Sequence, residues 1–225
     1  MADLPLVLAN GLAARLERAL DVEGKIPRAF DSLAPLAGAD LLLTDARGGL
    51  RAAQFADLGA RVTLLGPAAD LADLTAIAAA LPGPASARAG TAAATGMADS
   101  NLDVVASCWA GFRDDPVGEL TEAQRILRPG GRLLILHDYG RDDVSGLRSA
   151  ELPEYTTWGR RDGWFLRTGF KVRVIHCWWT FADLDDARDF LGAGFGEAGR
   201  TVAAGLTRPR LSYNVAVYHR THGAL

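Results

Sequence analysis

The sequence predicts an α/β domain built in three layers around a mostly parallel sheet. Three observations carry this. In residues 127–139, LRPGGRLLILHDY, a helix end is followed by a tight turn and then by Leu133, Leu134, Ile135 and Leu136 without alternation, the pattern of a strand covered on both faces. Further strands are expected at Asp40–Thr44 (DLLLT) and Leu102–Cys108 (LDVVASC). Helical stretches separate the strands, which implies parallel neighbours joined by right-handed crossovers. At the carboxyl end of the 127–139 strand stand His137, Asp138 and Tyr139, and in open parallel sheets that end is where ligands sit.

Composition narrows the class. The 225 residues are 49% hydrophobic, enough for a sizeable core, and the net charge of −3 argues against nucleic acid as the main partner. Lysine occurs only at 25 and 171, and the many arginines read as a solvated surface. The two cysteines, Cys108 and Cys177, lie in apolar runs. They make no disulfide framework, and a reduced cytoplasmic setting fits. The apolar patch at residues 4–8 has no basic residues before it, so it is not read as a signal peptide. No stretch has the length and purity of a membrane span.

In chain order, leucines at 12, 16 and 20 have helical spacing, with Asn10 placed as a cap; residues 1–25 also read as a frayed arm. A second helix is expected from Pro27 to Gly38, carrying Phe30, Leu33 and Leu36 inward. After the first strand comes Asp45-Ala46-Arg47-Gly48-Gly49, then a helix stopped by Gly59. A second strand at 61–65 closes at Gly66-Pro67, and an alanine–leucine helix occupies 68–81. A third strand lies near 86–89 and a loop over 90–101. The helix after the fourth strand has Val117, Leu120, Ile126 and Leu127 on one face. Residues 140–150 form a lid or connecting loop, and 153–169 an aromatic helix with Tyr155, Trp158, Trp164 and Phe165. Lys171–Thr180 is a sixth strand, 183–205 is helical with Gly192, Gly194 and Gly196 inside it, and 211–219 is the last strand.

Three segments resemble the class I S-adenosylmethionine-dependent methyltransferases. LRPGGRLLILHDY is similar to the turn and fifth strand of that family. NLDVVASCWAGF (101–112) resembles its fourth strand. DLLLTDARGGLRAAQFADLGARVTLLGP (40–67) resembles its first strand, cofactor loop, helix and second strand. The resemblance covers about residues 38–220. It implies a Rossmann-like fold with a seven-stranded, mostly parallel sheet and an antiparallel last strand. It divides the chain into N-terminal helices (1–38) and a methyltransferase-like domain (39–225) with a helical insert at 183–205. It further implies S-adenosylmethionine as cofactor and a small-molecule acceptor. Asp45, Ala46, Arg47, Gly48, Gly49 and Gly66 would then line the cofactor site, with Met97 and Ala98 at the adenine and Ser107 and Trp109 after the fourth strand.

The chain departs from the family pattern at two places. The Gly-x-Gly-x-Gly loop has Ala46 or Arg47 where glycines stand, so Arg47 either swings out or enters the pocket. The second strand ends Leu65-Gly66-Pro67, without the acid that accepts from the ribose hydroxyls. After the third strand, Thr91 falls near the adenine acid, with Asp99 further along. Losing two hydrogen bonds of this kind weakens binding by roughly 100-fold. A non-catalytic binding or assembly protein on the same fold is therefore the alternative to the enzyme.

Other residues have two readings each. His137, Asp138 and Tyr139 serve as base and substrate orienter, or Asp138 caps a turn while His137 packs. Trp109 covers a sulfonium or fills the helix–sheet layer. The aromatic cluster roofs a pocket or packs its helix. His176 and Cys177 are neighbours on a strand and point apart, so no zinc site is expected. No Gly-x-Ser-x-Gly elbow, phosphate loop or dinucleotide fingerprint is present. A homodimer through an edge strand, 211–219 or its neighbour, is a further expectation.

Overall fold

The computed structural model describes residues 4–148 and 150–223. Residues 1–3, 224 and 225 of the expected domains and Ser149 of the expected 140–150 loop lie outside the described residues. The elements in order are α1 (Asn10–Ala19), α2 (Lys25–Leu33), β1 (Asp40–Thr44), α3 (Leu50–Asp57), β2 (Arg61–Gly66), α4 (Leu71–Ala80), β3 (Ala85–Ala89), β4 (Leu102–Cys108), α5 (Pro116–Ile126), β5 (Leu127–Asp138), α6 (Pro153–Thr156), α7 (Trp164–Arg167), β6 (Lys171–Thr180), α8 (Leu184–Ala204) and β7 (Arg210–Thr221). Seven strands form one sheet in the order β3-β2-β1-β4-β5-β7-β6. The fold is the Rossmann-like class I methyltransferase architecture, with β1 to β5 parallel. The edges are β3 and β6, so the last strand is interior and only its neighbour is an edge. The chain divides into two compact units, residues 1–5, 27–137 and 217–225 in one, 6–26 and 138–216 in the other.

The first unit is centred on β1. Leu41, Leu42 and Leu43 are consecutive and fully buried, because helices cover both faces of a parallel sheet. Phe30 of α2 stacks on Phe55 of α3 at 5.0 Å. At the amino-terminal ends of the strands, Arg128 bridges Asp103 (2.7 Å) and Asp40 (2.9 Å), while Arg61 holds Asp40 from the other side at 2.7 Å. Val117 does not join the inner face of α5 and is 65% exposed; Ala123 and Ile126 bury instead.

The expected turn at Pro129-Gly130-Gly131 is a bulge within β5. Leu102 pairs with Leu127, and the next pair is Val104 with Arg132, so the four residues Arg128 to Gly131 stand opposite Asp103 alone. Gly130 has φ +82°. Its N–H donates to the His222 carbonyl (2.9 Å), and the His222 N–H donates back to Gly131 (2.8 Å). The bulge thus stays hydrogen-bonded to His222, the residue after β7, and the chain bends without reversing.

In the second unit α1 and α8 are tied by Arg15, which reaches Asp186 at 2.6 Å and Asp189 at 2.7 Å. The residue preceding α1 is Ala9, and no side chain caps that helix. The start of α2 is instead capped by buried Asp21, which accepts from the N–H groups of Lys25 and Ile26 at 2.9 and 2.7 Å. On β6, Ile175, Cys177 and Trp179 are buried and His176 is exposed, the alternation of a strand covered on one face. Trp179 packs among Phe190, Phe195 and Tyr213. The α8 helix kinks at Gly196 (φ 58°, ψ −128°), while Gly192 and Gly194 stay within the helical run.

The aromatic stretch 153–169 is two single helical turns, not one helix. A Cβ at Gly163 would lie 2.2 Å from the Thr157 carbonyl oxygen, so the chain doubles back tightly between them. Trp158, Trp164 and Phe170 gather edge-on or tilted around Phe165 and its neighbours at 5.2–5.9 Å. The cluster packs on itself.

The two bulge glycines have different reasons to be glycine. A Cβ at Gly131 would stand 2.9 Å from the Arg128 oxygen and 3.1 Å from the Asp103 oxygen, whereas Gly130 has open space and only its positive φ to satisfy. Gly131→Ala should cost about 1–3 kcal/mol through overpacking, and Gly130→Asn less than about 1 kcal/mol because asparagine tolerates the left-handed region. Urea unfolding of the two variants checks the order.

Candidate active site

At the carboxyl end of β1, Asp45 takes φ 54°, a left-handed turn that glycine adopts freely and aspartate tolerates. The next residue, Ala46, is fully buried and its N–H donates to the Leu65 carbonyl at 3.0 Å. This brings the loop hard against the end of β2. A Cβ at Gly66 would lie 2.7 Å from Leu74 Cδ1 and 3.3 Å from the Ala46 oxygen. A side chain at this position would require the Leu74 side chain to move and the Ala46 carbonyl to give by a few tenths of an ångström.

Arg47 swings out. Its side chain is 57% exposed and stands 3.8 Å from Asp70. Gly48 and Gly49 are half-buried, and Gly49 precedes α3. One turn into α3, Arg51 is fully buried: its Nη1 donates to Gln54 Oε1 at 2.6 Å, and its guanidinium lies 5.2 Å over the Trp109 ring. Trp109 is itself buried. A cation already on its ring is this arginine.

At the end of β4, buried Ser107 accepts from the Gly111 N–H at 2.9 Å. Glu119, in the first turn of α5, accepts from the Phe112 N–H at 2.8 Å. Together they clamp the loop after β4, in which Trp109 and Phe112 both have positive φ. Burial pushes the Glu119 carboxyl up to about 7, and Asp45, Asp115 and Asp114 add to the rise. Burial also raises Asp45. Two half-buried carboxyl groups thus lie within electrostatic reach of one another at this end of the sheet. Only Asp45 was legible in the sequence; the one signal for Glu119 is an acid in a helix's first turn, which reads as a dipole partner.

Met97 goes to the other end of the sheet. It lines a hollow of about 270 Å³ with Asp40, Arg61, Ser86 and Asn101, at the amino-terminal ends of the strands. The cause is Arg125, which donates to the Met97 carbonyl at 2.9 Å and pairs with Glu122 at 2.7 Å and with Asp99. That pairing depresses Glu122 to about 2. Ala98, next along, is exposed.

His137 is fully buried. Its Nε2 is 3.0 Å from the Gly111 carbonyl and so donates to it, while Nδ1 is 3.4 Å from an Arg113 nitrogen and so accepts. Both ring nitrogens have partners, and the ring ties β5 to the β4 loop at Gly111. Asp138, also fully buried, is saturated too. Arg148 pairs with it, the Tyr155 hydroxyl donates at 2.8 Å, and the Tyr213 hydroxyl donates to its other oxygen. Burial and this carboxylate push Tyr155 and Tyr213 well above the usual phenol range. Tyr139 is half-buried, with its N–H on the Asn214 carbonyl at 2.8 Å. It lines a polar hollow of about 580 Å³ built from residues 139–160. Among the described residues no three His, Cys, Asp or Glu side chains are grouped to hold a metal ion, and no helix is long and apolar enough to cross a membrane.

Two outcomes follow from this geometry. Folded protein keeps a proton on Glu119 up to about pH 7, which the unfolded chain releases near its ordinary value of 4.5. Stability therefore falls as pH rises from about 4.5 to 7, with Asp45 acting in the same sense. Thermal melts from pH 5 to 8 should show a steeper decline for wild type than for Glu119→Gln. Because Arg47 points away, Arg47→Gly should change stability by less than about 1 kcal/mol and leave cofactor affinity unchanged by isothermal titration.

Comparison with known proteins agrees with this architecture. Residues 46–135 match the family described as "Methyltransferase domain". No curated protein matches the sequence. Among solved structures, a candidate type II methyltransferase from Anaeromyxobacter dehalogenans is 18% identical with a TM-score of 0.59, over 88% of this chain and 95% of that one. Geranyl diphosphate C-methyltransferase from Streptomyces coelicolor is 16% identical with a TM-score of 0.55, over 93% and 80%. The YcgJ protein of Bacillus subtilis is 14% identical with a TM-score of 0.54, over 90% and 100%. By its sheet order this chain has the fold of the class I S-adenosylmethionine-dependent methyltransferases, and the stretch from its first loop into its fifth strand matches the methyltransferase domain model.

Proposed function

We propose that the protein is an S-adenosylmethionine-dependent methyltransferase acting on a small-molecule acceptor. The observation that carries this reading is the loop after β1. Asp45 keeps the left-handed turn of a glycine loop and Arg47 leaves the crevice, so the backbone of Asp45, Gly48 and Gly49 stays available to the cofactor's amino-acid end. The donor set suits that end, since Asp45 and Glu119 are carboxylates and the ligand carries a sulfonium and an ammonium. At the ribose end the fit is poorer, because Leu74 occupies the space beside Gly66.

The cofactor supplies an electrophilic methyl group, and transfer is a displacement at carbon, so the protein's part is orientation. His137 and Asp138 have their polar atoms engaged, which makes them positioning residues. His137 and Glu119 fix the β4 loop at Gly111 and Phe112; Asp138 draws Tyr155, Tyr213 and Arg148 together. A small-molecule acceptor is in line with the Streptomyces coelicolor relative, whose name gives geranyl diphosphate as its substrate. The second reading, a non-catalytic protein of this fold, is favoured by the filled acid position at Gly66.

Thermal denaturation with S-adenosylmethionine and with S-adenosylhomocysteine separates the two. A ligand at 100 times its dissociation constant should stabilise by about 2.7 kcal/mol. Absence of any shift with either compound at millimolar concentration selects the non-catalytic reading.

A further inference from the structure

The hollow beyond β5 has the volume of a small-molecule site, about 580 Å³. Its wall includes Tyr139, Arg141, Asp142, Glu154, Tyr155 and Arg160. Most of this charge is already committed. Asp142 accepts from the N–H groups of Ser145 (2.7 Å) and Asn214 (2.6 Å). Glu154 is buried and engaged. Arg160 pairs with Asp162 at 3.1 Å. The adjacent Asp143 accepts from the N–H and hydroxyl of Ser212 at 2.8 and 2.7 Å.

Arg141 is what remains. Its guanidinium lies 5.8 Å over the Tyr139 ring and has no ion pair among the described residues. Its placement is also costly. Gly140 and Arg141 have φ of 80° and 60°, two left-handed residues in succession, and an arginine is disfavoured there. Asn214 holds the turn. Its Nδ2 donates to the carbonyls of Gly140 and Arg141, both at 3.1 Å, and its backbone N–H and C=O bond to Asp142 and Tyr139. Its Oδ1 in turn faces His176 Nδ1 at 2.7 Å. Strained backbone so thoroughly braced is a feature of ligand sites. What the bracing delivers is one fork of donors without an ion pair among the described residues, over the Tyr139 ring, with the Tyr155 ring close against the neighbouring Gly140.

We propose that this hollow binds a flat, anionic small molecule, its carboxylate or phosphate on Arg141 and its planar part against Tyr139 and Tyr155. The binding of this anion is independent of the methyltransferase reading. Benzoate, phenyl phosphate and benzamide, titrated calorimetrically into the full chain, test it. At least one of the two anions should bind about tenfold or more tightly than the neutral amide, the worth of one charge-assisted hydrogen bond, and the better anion identifies the head group. Arg141→Gly should erase that gap while keeping the fold, because glycine suits the left-handed position. Equal binding of acid and amide, or a gap that survives Arg141→Gly, overturns the inference. S-adenosylmethionine titrated into the same samples keeps the two claims apart. Donor binding without an anion gap ends this inference alone. An anion gap without donor binding upholds the anion site and ends the methyltransferase reading alone.

Discussion

The candidate cofactor crevice depends on one close approach, that of Ala46 to the end of β2. A backbone hydrogen bond from Ala46 to Leu65 fixes it at 3.0 Å. With that bond made, a Cβ at 66 would lie 2.7 Å from Leu74 Cδ1 and 3.3 Å from the Ala46 carbonyl oxygen, so a larger residue there needs the Leu74 side chain to move. The same tuck buries Ala46 and turns the following residue outward, which is why Arg47 meets Asp70 at the start of the next helix.

A second constraint explains why His137 and Asp138 are held rather than free. Both stand at the end of a strand that is buried on two faces. An ionised carboxylate there is costly unless its oxygens are hydrogen-bonded and its charge is matched. Two tyrosine hydroxyls and Arg148 meet both demands for Asp138. A carbonyl and a guanidinium do the same for the imidazole of His137. Polar residues at a privileged place in the fold are therefore not automatically reactive; depth decides, and these two are fully buried.

The strands were legible because each is a short apolar run, and residues 40–44, 102–108 and 171–180 fall where the pattern places them. What local pattern does not encode is closure between distant residues. Pro129-Gly130-Gly131 has the composition of a reversal, yet pairing with His222, some ninety positions on, makes it a bulge. Met97 follows the third strand as an adenine neighbour would, but Arg125 draws it to the opposite end. Glu119 looks like any acid opening a helix; only the folded loop brings its carboxylate to Phe112 and within electrostatic reach of Asp45. The aromatic stretch reads as a helix from its spacing, but the close approach of Gly163 to the Thr157 carbonyl is a tertiary fact.

The arginines deserve a different reading from the solvated surface that composition suggests. Arg15 joins Asp186 and Asp189, Arg125 joins Glu122 and Asp99, and Arg128 joins Asp40 and Asp103. Each spans two carboxylates on different turns or strands, which a planar fork with five donors can do and a single ammonium point does poorly. Most of these groups are partly exposed, so any one pair contributes little alone. Their value is geometric: they fix which turn lies beside which strand. Arg141 and Arg210 differ from these: each lies over an aromatic ring, Tyr139 and Trp178, without an ion pair among the described residues, and of the two only Arg141 stands on a left-handed turn, which Asn214 braces.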